Sequence, residues 1–407
     1  MMRSLMEMTL PRRDKLLRLL VAGVLFGAAA VLARTQLWSH ALQPNSFFGG
    51  DFVSYRLGAE RLLATGSPYH PRLLEGPLIH STANLPAGYV YPPPLAQGLS
   101  LLTWVPDPWL PIAWALAQAA LLAWLLPAVF VAGGGRISIE TRLVIWALAL
   151  ASYPLQFALY GGNVSGFVAI GVSAMLVGSP RLAGGVSALL FTLKLSPLPL
   201  FAAALIRPSS RLASIVALAA LLLGSLLLSP RAWIDWLRAA PNVLSTPMAD
   251  ACCHYSPGAT LQLIGAEQVG VALGLSIAVG AGVVAAWWAR SERNWDRAIA
   301  AASIAMLFAP LTLWEHYAAV LVPLAMYVWP RAGIVRRRIL IVAFVWQTVA
   351  WFVVFQAPGM AAVEARILML IALLATCAAV VPPSPRANAA AALGPNCSCR
   401  GVARHEG

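Results

Sequence analysis

Ionisable side chains occur at three places where the surrounding sequence is strongly apolar. Asp51 follows the first apolar stretch, Lys194 lies inside another, and Glu315 and His316 lie together at the end of a third. A charged group in such a position costs free energy, so it usually faces a polar cavity and has a functional role. A carboxylate there could accept the proton of an attacking hydroxyl, and an ammonium could stabilise a departing phosphate.

Each of these residues also has a purely structural interpretation. Asp51 could accept backbone N–H groups at a helix end, and Lys194 could extend its ammonium to the nearer membrane interface. His316 could donate to a phosphate or bind a water molecule together with Glu315, or it could simply be an interfacial histidine capped by Glu315. Asn163, at a predicted outer helix end, could bind a sugar or cap the following helix.

Aromatic and basic residues follow the first apolar stretch and could bind a substrate. Arg56 could reach a phosphate, and Tyr55 and Tyr91 could stack on a sugar or a prenyl chain. Aromatic residues at this depth are also typical of the interfacial belt of membrane proteins. Asp250 and His254, four residues apart in a second outer segment, could contact an acceptor or remain solvated.

Motifs for nucleotide and metal binding do not occur in the sequence. There is no Gly-rich phosphate loop, which disfavours an ATP or nucleotide-sugar site, and no Asp-x-Asp motif. We therefore predict neither a metal nor a cofactor. Cys397 and Cys399 form a CxC pair without further ligands nearby, and the adjacent Cys252 and Cys253 could form a disulfide or stay reduced.

The composition indicates an integral membrane protein. Hydrophobic residues make up 60% of the 407 positions and charged residues 11%, against about 25% in soluble domains. The apolar residues form long blocks, which should be helical because backbone polar groups need partners inside the bilayer. We predict an all-α polytopic fold with roughly a dozen transmembrane helices and a long first extracytoplasmic loop. The predicted spans are 16–34, 109–132, 143–160, 164–178, 182–193, 195–206, 212–229, 268–289, 298–313, 317–330, 339–356 and 363–381.

Arginine residues determine the predicted orientation. The chain has 28 basic residues, of which only Lys15 and Lys194 are lysines. The arginines concentrate in the loops on the side of the membrane that holds the N-terminus. Since cytoplasmic loops concentrate basic residues, both termini are predicted to be cytoplasmic. The outer segments are then 38–93 and 230–262. The net charge of +13 is a topology signal that favours contact with anionic membrane lipids, and no nucleic-acid partner is predicted.

The chain is predicted to contain one membrane domain, residues 1–381, followed by a disordered cytoplasmic tail, residues 382–407. The N-terminal apolar run is similar to a secretory signal. An uncleaved signal anchor is the preferred interpretation, because the outer segment that follows needs tethering to the membrane.

Five sequence elements occur in an order that points to a known family. They are GGDFVSYRLGAERLLATGSPYHP at 49–71, YVYPPP at 89–94, GGN at 161–163, KLSP at 194–197 and WEH at 314–316. This order resembles glycosyltransferase family 87 of the GT-C superfamily, the polyprenol-phosphate-mannose-dependent α-mannosyltransferases, from about residue 16 to residue 380. The family often has Gly-Gln where this chain has GGN, and Ser-Trp-Asp-His where it has Leu-Trp-Glu-His.

The resemblance implies a GT-C-like integral membrane glycosyltransferase of the bacterial inner membrane. It would move a hexose, expected to be mannose, from a polyprenyl-phosphate carrier to a glycan or glycolipid acceptor on the extracytoplasmic side. A single displacement with one base would invert the anomeric configuration. The implied residues are Asp51 as the base; Lys194, His316 and Arg56 at the donor phosphate; and Tyr55, Tyr91, Asn163 and Glu315 at the substrate.

Two other functions fit the same features. A transporter or lipid flippase would also have many helices and a charged residue or two within the membrane. The acid-bearing, aromatic first outer segment and the lack of an internal repeat favour a transferase over a transporter. A non-catalytic partner in envelope polysaccharide assembly is the second alternative, and it predicts unchanged glycans when Asp51 is replaced.

Overall fold

The structure is a computed structural model that describes residues 2–36, 48–75, 88–244, 256–310, 313–356 and 360–383. Within these ranges the chain forms α-helices and short 3₁₀ helices and no β-strand, which confirms the all-α prediction. Several predicted features lie outside the described residues: Asp250, Cys252, Cys253, His254, Cys397, Cys399 and nearly all of the predicted tail.

The α-helices follow one another closely along the chain. The first nine are α1 (Met2–Gln36), α2 (Gly50–Thr65), α3 (Pro71–Glu75), α4 (Pro93–Ser100), α5 (Trp109–Ala132), α6 (Ile139–Ala151), α7 (Tyr153–Tyr160), α8 (Ser165–Val177) and α9 (Pro180–Leu193). The others are α10 (Leu198–Ile206), α11 (Pro208–Leu228), α12 (Pro230–Leu244), α13 (Pro257–Gln262), α14 (Glu267–Ala289), α15 (Trp295–Phe308), α16 (Leu321–Val328), α17 (Ile334–Gln356) and α18 (Met360–Val380).

Helix length sets how many crossings the structure supports. Among the described residues, four segments are long and apolar enough to cross a membrane: Asp14–Arg34, Trp109–Ala132, Pro208–Leu228 and Glu267–Ala289. The pair α6 and α7 would be a fifth if it forms one span, although it bends by 69°. Two other predicted spans, 164–178 and 182–193, form the shorter helices α8 and α9, below the roughly 20 residues that a bilayer core requires. The structure thus supports a membrane protein, and the dozen crossings stay a prediction.

Three large apolar clusters make up most of the core of the described residues. The largest joins α8, α9, α10, α14, α15, α16, α17 and α18, and a second joins α5 to α8 with α16. Buried alanines on α15, among them Ala298, Ala300 and Ala302, let neighbouring helices approach closely. The third cluster joins α2, α3, α4 and α12, and it carries most of the aromatic residues of the first outer segment.

The small residue Gly58 lets α2 pack directly on Tyr89. An ideal Cβ at Gly58 would lie 2.6 Å from Cγ of Tyr89, whose side chain is fully buried. The Tyr89 hydroxyl accepts the backbone N–H of Ala96 at 3.0 Å, which fixes α4 in place. The Tyr69 hydroxyl donates to the carbonyl oxygen of Tyr91 at 2.8 Å. The two tyrosine-bearing motifs therefore build one packed unit that positions Tyr91.

Substitution of Gly58 by alanine should loosen this unit. We expect Gly58→Ala to destabilise the protein by about 1–3 kcal/mol, because the added methyl overlaps a buried ring with no free space beside it. Gly98→Ala is the control, since nothing lies within 4 Å of a Cβ at Gly98 and alanine is the better helix former. Thermal unfolding of the two purified variants measures the difference. Equal melting temperatures would contradict this packing.

Candidate active site

Asp51 is positioned where the first turn of α2 meets the turn between α7 and α8. The backbone N–H groups of Gly49 and Asp51 donate to the carbonyl oxygens of Tyr160 and Gly161, at 2.8 Å and 3.0 Å. These bonds satisfy polar groups at both helix ends, which would otherwise lack partners inside the helices. The start of α2 is therefore fixed against the end of α7.

The second glycine of the GGN motif is required by this contact. Gly162 has φ +69°, and a Cβ there would lie 2.8 Å from Cβ of Phe52. Its carbonyl oxygen accepts the indole N–H of Trp114 at 2.9 Å. A residue with a side chain would be strained in this backbone conformation and would also push α2 away.

Asn163 connects Asp51 to the start of α8. Its Nδ2 donates to Oδ2 of Asp51 at 2.9 Å, and its Oδ1 accepts the backbone N–H of Ser165 at 2.8 Å. The side chain therefore binds the first backbone N–H of α8 and orients the carboxylate at the same time. Within the described residues, no hydrogen bond reaches Oδ1 of Asp51, so this oxygen can still accept a proton.

The pH dependence of turnover should reflect the surroundings of Asp51. Burial raises the pKa of the Asp51 carboxyl above its ordinary value, although the Asn163 hydrogen bond and the Lys194 charge lower the pKa in part. If Asp51 must be ionised to accept a proton, the rate should fall as the pH drops through this raised pKa. The acid limb of the pH–rate profile should therefore lie at higher pH than it would for a carboxyl with an ordinary pKa.

Asn163→Asp tests this assignment. The substitution keeps the oxygen that accepts the Ser165 N–H but replaces the donor to Asp51 by a second negative charge. A like charge raises the pKa of Asp51, so the acid limb should move to still higher pH. The shift should be about one pH unit or more, because the free energy of one hydrogen bond to a charged group corresponds to a pKa change of that size. Asn294→Asp, outside this cluster, is the control. Superimposable pH–rate profiles for both variants would remove Asp51 from the rate-determining ionisation.

Two tyrosines lie beside this carboxylate. The Tyr55 hydroxyl donates to the Tyr91 hydroxyl at 3.2 Å and accepts the backbone N–H of Val164 at 3.4 Å. The two rings meet edge to face with centroids 5.0 Å apart. Tyr55 is fully buried, whereas Tyr91 is half-buried and can present its ring to a ligand.

Lys194 lies in the break between α9 and α10, as Pro197 in the KLSP motif predicts. Its side chain is 7% exposed, so it does not extend to the surface. The ammonium donates to Oγ of Ser165 at 3.3 Å and lies 3.6 Å from the ring centroid of Tyr317. It also borders a cavity of about 10 Å³, the room of about one water molecule.

No carboxylate of the described residues comes within 4.0 Å of this ammonium. Asp51 is near enough for an electrostatic interaction with Lys194, but the two do not form an ion pair. The cluster therefore contains a half-buried carboxylate and a buried cation that are close but separate.

His316 and Glu315 lie on the 3₁₀ helix Glu315–Val320, and both are buried. The imidazole meets the ring of Tyr317 edge to face at 4.8 Å and lies 5.9 Å from the ring of Phe157. Because Tyr317 also contacts the Lys194 ammonium, His316 borders the same cluster.

Arg56 has other partners. It forms ion pairs with Glu60 at 2.8 Å and with Asp107 at 2.5 Å. Its predicted contact with a phosphate would require it to leave at least one of these carboxylates. The structure thus brings together Asp51, Tyr55, Tyr91, Asn163, Lys194 and His316.

Ser165 and Tyr317 also belong to this cluster, and the sequence analysis missed them. Ser165 follows Asn163 by two positions at the start of a helix, and Tyr317 follows His316 directly. Each is adjacent to a motif, which is the signal that could have found them. Their contact with Lys194 joins segments that are far apart in the sequence, so motif spacing could not reveal it.

The sequence model of glycosyltransferase family 87 matches residues 89–314, more than half of the chain. The chain belongs to glycosyltransferase family 87. No curated protein and no solved structure gives a match. The glycosyltransferase therefore uses a sugar donor and an acceptor, and its apolar helices indicate a membrane enzyme.

The matched region covers only part of the cluster in this glycosyltransferase. It includes Tyr91, Asn163, Ser165 and Lys194, whereas Asp51 precedes it and the 3₁₀ helix with His316 follows it. The link between Asp51 and the matched region is therefore structural: the hydrogen bond from Asn163 joins the two.

Proposed function

We propose that this glycosyltransferase moves a hexose from a polyprenyl-phosphate carrier to an extracytoplasmic glycan or glycolipid. Mannose is the proposed hexose. The observation that carries the proposal is the cluster itself. Two bridging residues, Asn163 and Ser165, bring a half-buried carboxylate and a buried ammonium close together without pairing them. A displacement at a sugar–phosphate bond needs both a proton acceptor and a stabiliser of negative charge.

Asp51 acts as the general base in this mechanism. The acceptor hydroxyl attacks the anomeric carbon, and the bond from that carbon to the phosphate oxygen breaks. The proton of the hydroxyl goes to Asp51, and the bonding electron pair leaves with the lipid phosphate. Attack opposite the leaving group inverts the anomeric centre, so that a β-linked donor gives an α-linked product.

Lys194 stabilises the departing phosphate. A buried cation without a bonded anion is unfavourable, and a phosphate monoester would supply the missing charge. His316 reaches the phosphate from the aromatic group beside Tyr317, with Glu315 next to it. Arg56 contributes only if it leaves Glu60 or Asp107.

Tyr55, Tyr91 and Asn163 bind the sugar in this scheme. Tyr91 is the half-buried ring of the pair and can stack on a pyranose face. The buried Tyr55 holds Tyr91 in position, because its hydroxyl donates to the Tyr91 hydroxyl. Arginines concentrate in the loops on the membrane side that holds the N-terminus, and this supports cytoplasmic termini. In this scheme the cluster faces the extracytoplasmic side.

A transfer assay distinguishes this proposal from a flippase. Membranes from cells that lack the protein supply the acceptor, and purified protein is added with polyprenyl phosphate carrying labelled mannose. The label should appear in a glycan or glycolipid, and free polyprenyl phosphate should accumulate in equal amount. A flippase would leave the sugar–phosphate bond intact, so label that stays entirely on the donor would overturn the proposal.

A further inference from the structure

A groove of about 440 Å³ lies between α5 and the start of α6, away from the cluster around Asp51. Its wall on α5 includes the small residues Ala123, Pro127 and Ala128. Trp146 of α6 contributes an aromatic wall, and Arg142 is the one charged residue among those that line the groove. The lining of the groove is thus mostly apolar, with a single positive charge at Arg142.

The groove is remote from the proposed donor site. Trp114 of α5 binds Gly162 next to Asp51, and Ala128 lies further along the same helix by about 20 Å at 1.5 Å per residue. The groove therefore borders the end of the span Trp109–Ala132 that is opposite the Asp51 cluster. At that end, a membrane protein meets the headgroups of one leaflet.

The walls of the groove are fixed by a specific hydrogen bond. Pro127 has no backbone N–H, so the carbonyl oxygen of Ala123 lacks its helical partner. The indole Nε1 of Trp146 donates to this carbonyl at 3.0 Å. The ring of Phe26 on α1 also packs on Trp146, with centroids 6.5 Å apart. The groove is therefore preformed.

The charge at the mouth of the groove is positive. The Arg142 side chain is exposed and has no ion pair in the part of the chain that the structure describes. Glu140, two positions earlier, lies within electrostatic range of Lys15 and Arg18 of α1. Arg136, in the preceding loop, is also exposed but does not line the groove. A guanidinium binds a phosphate through two parallel hydrogen bonds, and basic pockets between helices bind anionic headgroups.

We propose that this groove is a binding site for an anionic diacyl phospholipid. The headgroup phosphate binds Arg142, and one acyl chain lies along Ala128 and Pro127 between the rings of Trp124 and Trp146. The bound lipid fills the space between α5 and α6. This site is independent of sugar transfer, so its test does not depend on the donor.

Native mass spectrometry of the purified full-length protein, with phosphatidylglycerol or phosphatidylcholine added, tests the site. The wild type should retain one phosphatidylglycerol in preference to phosphatidylcholine. Arg142→Gln should bind phosphatidylglycerol about fivefold more weakly, the usual effect of one basic residue near a membrane surface. Ala128→Phe keeps the charge but fills the groove, so it should weaken binding of both lipids.

Arg136→Gln is the matched control, because it removes an exposed arginine outside the groove lining. It should bind phosphatidylglycerol as the wild type does. Equal losses in the two arginine variants would mean diffuse surface attraction and would overturn the proposal. Wild-type binding by Ala128→Phe, or stronger retention of added polyprenyl phosphate than of phosphatidylglycerol, would overturn it as well.

Discussion

Asp51→Asn is expected to lower turnover by about 10²–10⁴-fold, the usual loss when a general base is removed. The amide has the same size as the carboxylate, and it can turn its oxygen toward Nδ2 of Asn163, which donates to Asp51 at 2.9 Å. The junction between α2 and α7 uses backbone groups and is unaffected. Protein level, melting temperature and donor binding should therefore stay close to those of the wild type.

Glu75→Gln is the matched control for this variant. Glu75 is exposed at the end of α3 and forms no ion pair within the described residues, so its loss removes a carboxylate without touching the cluster. Turnover of purified protein at saturating donor should fall for Asp51→Asn alone. Near-normal turnover by Asp51→Asn, or an equal loss in both variants, would exclude Asp51 as the base.

Lys194→Met should have the second largest effect. Met keeps the length of the side chain, removes the charge and can pack on the Tyr317 ring that the ammonium now contacts at 3.6 Å. Folding should therefore be preserved. The rate at saturating donor should fall by about 10²–10³-fold, the usual loss of one group that stabilises developing negative charge. Donor affinity should fall too, because the phosphate loses its counter-charge.

The other lysine of the chain supplies the control. Lys15 is exposed on α1, and Lys15→Met should leave both parameters unchanged. The measurement is the rate at saturating and at sub-saturating donor for the wild type and both variants. If Lys194→Met matches the wild type at both concentrations, the phosphate site must be sought at His316 and Arg56.

Local signals in the sequence were sufficient for parts of the fold and site. The proline in KLSP predicts the interruption at Lys194, and α9 ends at Leu193 while α10 begins at Leu198. The dominance of apolar blocks predicts an all-helical chain. These features depend on backbone geometry and on bilayer solvation, which act over a few neighbouring residues.

Contacts across long sequence separations were not predictable in the same way. Asn163 and Asp51 lie 112 positions apart, and only the packing of α2 on the turn before α8 brings them together. Arg56 illustrates the converse case. Its sequence position suggests a phosphate ligand, but its partner Asp107 comes from the loop before α5. Hydropathy likewise identifies apolar blocks without revealing where a helix bends, as between α6 and α7.

A comparison of labelled donors tests the central claim most directly. Purified wild type and Asp51→Asn are each given mannose on a polyprenyl phosphate, on a polyprenyl diphosphate and on a nucleotide, with membranes lacking the protein as the acceptor. Transfer should occur from the lipid monophosphate and only with the wild type. It should release one polyprenyl phosphate for each sugar moved. Equal transfer from the nucleotide sugar, or undiminished transfer by Asp51→Asn, would contradict the account.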